Sequence, residues 1–364
     1  MRDIVDDVSA WYESGISFAL ATVVRTWRSS PRQPGASMAV SEAGEAVGSV
    51  SGGCVEGAVY ELAQQVLATG LPAKQTYGVS DDDAFAVGLT CGGVLEVFVE
   101  PVDRKRFPQL PDVVAAVEGR RGLAVATVID GPDHVGARVV VGEASVRGSL
   151  GGERLDSAVA GIARGMLAHG TTGVVHVGAD GEQRMDQLAV FVESFAPAPE
   201  MIVFGAIDFA AAVVRIGKFL GYHVTLCDAR PVFATRKRFP EADDVVVAWP
   251  HRYLEGRDVD ERTVVCVLTH DPKFDIPLLE RALSTKAAYV GAMGSRRTHE
   301  DRLARLREAG LDEQALARLS SPIGLDLGAR TPEETAVSIA AEIISLTWGG
   351  SGRRLSETGT AIHR

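Results

Sequence analysis

Two cysteines in glycine-rich surroundings are the residues whose types and spacing point most directly to chemistry. Cys54 lies in the run Gly52-Gly53-Cys54-Val55-Glu56, between a short predicted strand and a helical pattern from about Val55 to Ala68. A glycine-rich turn at a helix start leaves backbone N–H groups available to an anion. We expect Cys54 in the first helical turn, where the helix dipole favours the reactive thiolate. The simplest alternative is a small residue packed at a tight turn.

An internal repeat favours a site over simple packing. Residues 48–70 match residues 148–170 without a gap, and the strand patterns before and after them recur in the same order. Such self-similarity is the mark of a duplicated structural unit. The sequence therefore predicts two copies of one α+β unit, residues 16–103 and 120–197.

The two cysteines belong to the first copy. The second copy has Arg154 in place of Cys54, and Arg184-Met185-Asp186 in place of Cys91-Gly92-Gly93. Both copies share the same packing requirements, so features confined to one copy point to a site. We place both cysteines in that site, beside glycines that let a ligand approach the backbone, namely Gly52, Gly53, Gly92 and Gly93. Two unrelated buried thiols are the alternative.

Composition excludes several classes of function. A net charge of −11 argues against a nucleic-acid-binding protein, which would carry a basic face. The sequence has no run of 18 apolar residues and an acidic N-terminus, so we expect a cytoplasmic protein with no membrane span. Its four cysteines form no CxxC pair, so neither a disulfide framework nor a resident metal site is predicted.

The sequence predicts the α/β fold class with two domains. Residues 1–197 form an N-terminal α+β domain made of the two tandem repeats. Residues 198–348 alternate apolar strands with helices, which is typical of a Rossmann-like, doubly wound parallel sheet. Residues 349–364 are rich in Gly, Ser and Arg and are predicted to form a disordered tail.

The first strand of the second domain is followed by an altered dinucleotide fingerprint. The run is Gly205-Ala206-Ile207-Asp208-Phe209-Ala210, with Ile207 at the glycine position that lets a pyrophosphate approach. Asp208 is expected to cap the next helix and to repel a pyrophosphate. Asp228 is placed to bind a ribose hydroxyl, or it is simply the residue that ends the second strand. Ordinary NAD(P) binding is therefore disfavoured.

Other polar residues lie at predicted strand ends, where doubly wound sheets bind ligands. His270 and Asp271 could form an acid–base pair before a helix predicted from about Pro277, although a strand-end histidine commonly bonds to the backbone. The run Gly294-Ser295-Arg296-Arg297 could hold an anion, or it is a solvated helix start. The same two interpretations apply to three arginines in the first long loop, Arg25, Arg28 and Arg32.

Five segments spread over most of the chain carry a family resemblance. They are residues 28–38, residues 48–56 with Gly-Gly-Cys-Val-Glu, residues 91–97 with Cys-Gly-Gly, residues 289–297 with Gly-Ser-Arg-Arg, and residues 321–326 together with Thr331-Pro332-Glu333-Glu334. In combination they resemble the XdhC/CoxI family, the xanthine dehydrogenase accessory proteins. The family's usual Gly-Ala-Gly-His after the first Rossmann strand is Gly205-Ala206-Ile207-Asp208 here, which puts a nucleotide role of this loop in doubt.

The resemblance implies a molybdenum cofactor chaperone rather than an enzyme. Such a protein binds the cofactor (molybdopterin with its metal) transiently, helps it acquire a sulfido ligand from a cysteine desulfurase, and delivers it to an apo molybdenum hydroxylase such as xanthine dehydrogenase. Matched onto this chain, Cys54 and Cys91 are the cofactor-handling thiols, and the resemblance also implies a homodimer. Four scattered cysteines could not supply the iron–sulfur clusters of a xanthine dehydrogenase itself.

Two alternative functions remain open from the sequence. One is an NAD(P)-dependent oxidoreductase that uses the Rossmann-like domain, with His270 as the acid–base group. The other is a scaffold that docks a desulfurase to its client, with the cysteines incidental.

Overall fold

The computed structural model describes residues 1–27, 32–78, 93–182 and 185–359. Three predicted site residues, Arg28, Cys91 and Gly92, lie outside these ranges. The chain divides into two units, Met1–Pro197 and Ala198–Thr358. Within the described residues, no helix is long and apolar enough to cross a membrane.

Two sheets of the same topology build the first unit. The first copy contains β1 (Phe18–Trp27), β2 (Ser37–Ser41), β3 (Ala46–Gly48), α2 (Glu56–Thr69), β4 (Ala73–Tyr77) and β5 (Val94–Val102), preceded by α1 (Val5–Glu13). The second contains β6 (Leu123–Asp130), β7 (Arg138–Gly142), β8 (Val146–Ser149), α4 (Glu153–His169), β9 (Gly173–Val177) and β10 (Leu188–Phe195), after the connecting helix α3 (Leu110–Glu118). The antiparallel strand orders are β3-β2-β1-β5-β4 and β8-β7-β6-β10-β9. These matching orders confirm the predicted repeat.

Helices α2 and α4 pack in the same way in the two copies. Each buries a stripe of small apolar side chains against its own sheet, such as Val59 and Ala63 in α2. Each also ends at an aligned glycine in the left-handed conformation, Gly70 (φ 70°) and Gly170 (φ 66°). Glycine stops a helix in this way because it has no side chain to clash at positive φ.

Equivalent residues of the two copies line a small buried cavity of about 20 Å³. By alignment of the copies, the pairs are Leu20 with Val125, Thr22 with Thr127, Val24 with Ile129, Phe98 with Phe191, and Glu100 with Glu193. The two carboxylates meet different cations. Arg138 donates to Glu100 (2.5 Å), whereas the amino group of Met1 donates to Glu193 (2.8 Å). The pseudosymmetric interior thus contains an asymmetric set of charges.

Replacing Arg138 with Met is expected to destabilise the protein by about 3–5 kcal/mol, because the buried Glu100 carboxylate would lose its partner. Both side chains are less than a tenth exposed, and Ser37 occupies the aligned position of the first copy. Urea unfolding of the full chain measures the change. The control is Arg147→Met, since Arg147 makes an exposed ion pair with Asp112 that contributes about 1 kcal/mol or less. Equal losses in the two variants would contradict the assignment.

The same variant carries a pH signature. Burial raises the pKa of Glu100 above its ordinary value, and Arg138 opposes that rise. Without Arg138, the buried carboxyl is tolerated in its neutral form and penalised in its charged form. Since the stability linked to a raised pKa is lost as pH rises through it, the deficit of Arg138→Met should be larger at about pH 8 than at about pH 5.

The second unit is a six-stranded parallel sheet in the order β13-β12-β11-β14-β15-β16, covered by helices. Its strands are β11 (Glu200–Phe204), β12 (His223–Asp228), β13 (Asp244–Val247), β14 (Val264–Val267), β15 (Tyr289–Ala292) and β16 (Leu319–Ser320). Its helices are α5 (Asp208–Phe219), α6 (Pro250–Glu255), α7 (Pro272–Leu283), α8 (Arg296–Glu308), α9 (Glu313–Leu316) and α10 (Pro332–Trp348). A 3₁₀ turn, Leu355–Glu357, follows α10. The doubly wound sheet is as predicted.

The predicted start of α7 is wrong by five residues. The helix begins at Pro272 rather than near Pro277, because Asp271 caps it by accepting a hydrogen bond from the N–H of Lys273 (3.1 Å). Proline fits the first position of a helix, where its missing N–H is not needed. Pro277 lies inside the helix.

Candidate functional site

The glycine-rich loop before α2 folds around the carboxylate of Glu56. The carboxylate accepts hydrogen bonds from the hydroxyls of Ser49 (2.6 Å) and Ser51 (2.6 Å) and from the N–H groups of Ser51 (2.9 Å), Gly52 (3.1 Å), Gly53 (2.9 Å) and Val55 (3.2 Å). The expectation that these N–H groups point outward to an external anion is therefore wrong. The loop N–H groups that could bind an anion are occupied by the Glu56 carboxylate of the same chain.

The hydrogen bonds to Glu56 also explain its acidity. Burial works against the charged form of this carboxyl, but the hydroxyls of Ser49 and Ser51 and the backbone N–H groups outweigh that effect and lower its pKa to about 2. A carboxylate that accepts several such hydrogen bonds is strongly favoured over its neutral form. Glu56 therefore remains a negative charge at the start of α2, where the helix dipole stabilises it.

Cys54 lies in the loop ahead of α2, not in its first turn as the sequence suggested. The helix begins at Glu56, with Val55 as its N-cap. The hydroxyl oxygen of Ser51 accepts hydrogen bonds from the N–H groups of Cys54 (2.9 Å) and Val55 (3.0 Å), and it holds both residues in the loop. The side chain of Cys54 is half-buried and packs against the core of the first copy.

The two glycines beside Cys54 are exposed. Gly52 and Gly53 have φ angles of 81° and 119°, in the region that favours glycine. A Cβ built on either residue would meet no atom within 4 Å, so backbone conformation rather than crowding calls for glycine here, and the space above both residues is open. A ligand can thus reach this backbone.

The aligned loop of the second copy has a different helix start. There Asp156 takes the place of Glu56 and accepts a hydrogen bond from the N–H of Leu150 (2.6 Å). Helix α4 begins at Glu153, three aligned residues earlier than α2, and it contains Arg154, the counterpart of Cys54. The loop geometry around Cys54 is therefore a property of the first copy and not of the scaffold.

The structure brings Arg32 to the same loop. Its guanidinium donates to the carbonyl of Ser49 (3.4 Å) and contacts the carboxylate of Asp3 (3.5 Å). Gly93 is buried immediately before β5. Arg32, Gly52, Gly53 and Cys54 therefore form one group. Their binding role, and that of Arg28, Cys91, Gly92 and Gly93, stays a prediction.

Two further cysteines differ from Cys54 in their surroundings. Cys227 and Cys266 are fully buried in the second unit. Burial raises the pKa of each thiol to about 12, so both remain protonated and inert. Of the cysteines that the structure describes, Cys54 is the one with access to solvent.

The loop after β11 is likewise bound by an internal carboxylate. Asp228 is 3% exposed and accepts hydrogen bonds from the N–H of Ala206 (2.8 Å) and from the backbone and guanidinium of Arg230. Burial opposes its ionisation, but these bonds prevail and lower its pKa. Gly205 (φ 108°) fits closely here, since a Cβ would lie 2.9 Å from the Thr269 methyl carbon.

Asp208 does not cap α5 as predicted. It is the first residue of the helix, and the N-cap is Ile207, which lacks a side-chain acceptor. The Asp208 side chain is 91% exposed and lies 3.6 Å from the guanidinium of Arg238. It still places a negative charge at the helix start, where a bound pyrophosphate would need positive surroundings.

The remaining candidates lie at the carboxyl ends of β14 and β15. His270 is exposed, and Asp271 is occupied as the cap of α7 and as the ion-pair partner of Lys273 (2.9 Å). Hydrogen bonds from Lys273 lower the pKa of Asp271. Ser295 caps α8 by accepting from the N–H of Thr298 (3.1 Å), after Gly294 and before the exposed Arg296. Acid–base or anion-binding roles here stay predictions.

Sequence reasoning missed two features of these sites. The first is Glu56, whose signal was a carboxylate three residues after a glycine pair, at a helix start. The second is a buried ion pair below the ends of β14 and β15, in which Arg302 binds Asp275 (3.1 Å), the Met293 carbonyl (2.9 Å) and Ser321 (2.9 Å). This pair joins residues far apart in sequence, so no local pattern reveals it.

Comparison with known proteins gives two family matches. The profile described as the XdhC and CoxI family matches residues 11–78 and 116–178, and the profile described as the XdhC Rossmann domain matches residues 201–343. The first match thus has one segment in each copy of the repeat. Together the two profiles cover most of the chain.

Relatives of known name extend over nearly the whole chain. A probable xanthine dehydrogenase subunit of Bacillus subtilis (strain 168) is 27% identical over 330 residues, 89% of this chain and 92% of that protein. The molybdenum cofactor insertion chaperone PaoD of Escherichia coli (strain K12) is 26% identical over 333 residues, 92% of this chain and 84% of that protein. A crystal structure described as a xanthine dehydrogenase from Bacillus halodurans is 24% identical, with a TM-score of 0.71 and 98% of each chain covered. This last likeness shows that the fold is shared.

Replacing Glu56 with Gln is expected to lower the free energy of unfolding by about 1–2 kcal/mol near neutral pH, because the loop N–H groups lose a charged acceptor. The carboxyl is partly exposed, so solvent screening keeps the loss small. Since the pKa of Glu56 is lowered to about 2, its contribution exists above the unfolded value of about 4.3 and is lost as pH falls. Urea unfolding should show a smaller gap from wild type at about pH 3. A gap that widens on acidification would contradict this.

Proposed function

Because the chain belongs to the XdhC and CoxI family, we propose that it is a maturation factor that binds molybdenum cofactor and delivers it to a molybdenum hydroxylase. The names of its relatives support this proposal. One is a molybdenum cofactor insertion chaperone and the other a probable component of xanthine dehydrogenase. The cofactor is cargo in this function, so the chain needs a site that holds it and then lets it go.

The observation that carries the proposal is the placement of Cys54. Its thiol lies in an exposed glycine loop of the first copy, whereas the same scaffold in the second copy has a helix with Arg154. Soft metal centres favour thiolate ligands, and molybdenum in this cofactor already binds sulfur. A partly exposed thiol beside open backbone can therefore contact the metal end of the cofactor without enclosing it.

Cys91 is proposed as the second thiol on sequence grounds. Val94, the first residue of β5, pairs with Trp27, the last residue of β1. In the sequence, Cys91 lies three residues before Val94 and Arg28 directly follows Trp27. Both are thus close along the chain to one strand pair of the first copy, which supports assigning them to the same site as Cys54.

The phosphate of the pterin needs a different partner from the one that the sequence suggested. Glu56 occupies the N–H groups of the glycine loop, so these cannot bind a phosphate while it is in place. Arg32 lies against the same loop, and arginine matches the geometry of phosphate with two parallel hydrogen bonds. We propose that Arg32, together with Arg28, binds the phosphate end of the cofactor.

Further parts of the proposal concern partners. We propose that the cytoplasm is the site of transfer, that a cysteine desulfurase supplies the sulfido ligand while this chain holds the cofactor, and that an apo hydroxylase receives it. We also propose that the chain acts as a homodimer. The family resemblance is the support for the last three statements, and the sequence's lack of an apolar run of 18 residues is the support for the first.

The cofactor site can be tested by purifying the protein from a host that makes molybdenum cofactor and measuring bound pterin by fluorescence after oxidation. We expect Cys54→Ala and Cys91→Ala to lower the pterin content about tenfold or more, since a soft thiolate ligand would be lost. Cys227→Ala is the matched control, because that thiol is buried in the second unit. Absence of pterin from the wild-type protein, or equal retention by all three variants, would contradict the proposal.

Nicotinamide cofactors are not expected to bind the second unit. The N–H of Ala206 is bonded to Asp228, and the exposed Asp208 lies where the pyrophosphate would approach. Titration of the protein with NADH and with NADPH, followed by cofactor fluorescence, should give no saturation up to about 1 mM. A dissociation constant of that size corresponds to a binding free energy of about −4 kcal/mol. Saturation at micromolar concentration would revive the oxidoreductase alternative.

A further inference from the structure

We propose that Glu56 is a positioning residue that sets where α2 begins and thereby keeps Cys54 in the loop ahead of the helix. The proposal rests on the proposed function for the use made of the thiol. The positioning itself is a property of the protein without cofactor, so it can be measured separately.

The hydrogen bonds in the first copy show how the carboxylate acts. Glu56 binds the N–H groups of Gly52, Gly53 and Val55, which precede the helix. It also accepts from the hydroxyl of Ser51 (2.6 Å), whose oxygen accepts in turn from the N–H of Cys54 (2.9 Å). Glu56 therefore fixes the backbone of Cys54 through one intermediate residue. The first i to i−4 bond of α2 runs from Val59 to Val55 (3.0 Å).

The second copy shows what the scaffold does without this arrangement. Gly151 stands in place of Ser51 and Asp156 in place of Glu56. The aspartate side chain is one methylene shorter, and it accepts from Leu150 (2.6 Å), before the glycine pair. Its own N–H bonds to the carbonyl of Gly152 (2.9 Å), which extends the helix back to Glu153.

Both ends of the aligned segments are the same in the two copies. Gly48 and Gly148 both have positive φ, 80° and 92°, and both helices end at aligned glycines. The difference is thus confined to residues 49–56. Gly53, which aligns with Glu153, adds to the effect because glycine is a poor helix former. The test therefore keeps Gly53 and changes the groups that bind the loop.

The arrangement has a consequence for the thiol. The carboxylate of Glu56 binds the N–H groups at the positive end of α2. The position of the Cys54 thiol is therefore set by the loop and not by a place in the first helical turn. In the loop the thiol lies half-buried beside the open backbone of Gly52 and Gly53. In a helix begun three residues earlier it would occupy the position of the exposed Arg154, inside the helix instead of in the loop.

The experiment uses the purified, cofactor-free full chain with Cys91→Ser, so that alkylation reports on Cys54. One variant is Glu56→Gln. The other is a double variant, Ser51→Gly with Glu56→Asp, which introduces the residues that the second copy has at these two positions. Asp156→Asn is the matched control. Residue-resolved amide exchange measures the loop, and mass spectrometry measures the rate of Cys54 alkylation by iodoacetamide.

We expect the Gly52 and Gly53 amides of Glu56→Gln to exchange about tenfold faster, because they lose their acceptor. Cys54 should be alkylated about three- to tenfold faster, because the loosened loop exposes a half-buried thiol. In the double variant, the Glu56→Asp position should gain amide protection as the helix extends. Asp156→Asn should leave all these quantities within about twofold of wild type.

Two results would overturn the proposal. One is an unchanged alkylation rate and unchanged exchange at Gly52 and Gly53 in Glu56→Gln, which would leave the carboxylate with a structural role alone, visible as a lower melting temperature. The other is an equal change in Asp156→Asn. Pterin retention by the wild-type protein is measured apart from these, so failure of cofactor binding and failure of the positioning role give different outcomes.

Discussion

A glycine-rich turn between a strand and a helix leaves backbone N–H groups that the helix cannot satisfy, and the helix dipole favours a negative group as their partner. In this chain the negative group is internal. Glu56 fills the turn before α2, and Asp228 binds the turn before α5. The two units have unrelated topologies, yet each meets this requirement with a carboxylate of its own. Under the proposed function, the cofactor would therefore meet side chains in or beside the first turn, such as Cys54 and Arg32, rather than the N–H groups of the turn.

Much of the fold could be predicted because it rests on patterns that are local or repeated. The apolar runs that became β11 and β14 are typical of buried parallel strands, and the duplicated blocks predicted two matching sheets. The position of Cys54 could not be predicted in the same way. The start of α2 depends on which acceptor binds the N–H groups of residues 52–56, the Glu56 side chain or the backbone carbonyl of residue 52. The sequence is compatible with either acceptor, so it does not predict the start of the helix. Short elements such as α9, with four residues, are also below the length at which periodicity can be recognised.

The repeat separates what the scaffold requires from what the site requires. Features present in both copies, such as the strand order and the glycines that end α2 and α4, belong to folding. Features present in the first copy, Cys54, Ser51 and Glu56, occur together in one loop. The second copy keeps the longer helix, whereas the helix of the first copy begins three aligned residues later and leaves Cys54 in a loop. The hydrogen bonds from the loop to Glu56 offset the helical hydrogen bonds that the first copy lacks.

The charges around the buried cavity have a consequence for how such a domain could arise and whether it can be divided. A lone copy would expose the sheet face that now lines the cavity, so it would have to pair with a second molecule of itself. Two second copies could do so, since each holds both Arg138 and Glu193. Two first copies hold no such arginine, because Ser37 stands at the position aligned with Arg138. Their Glu100 carboxylates would depend on the amino group of Met1, which lies ahead of the repeat and binds Glu193 here. The difference between Ser37 and Arg138 thus makes the two copies unequal. The second copy carries within the repeat the cation that such a pairing requires, whereas the first copy, the half that holds the thiol, takes the partner of Glu100 from the second.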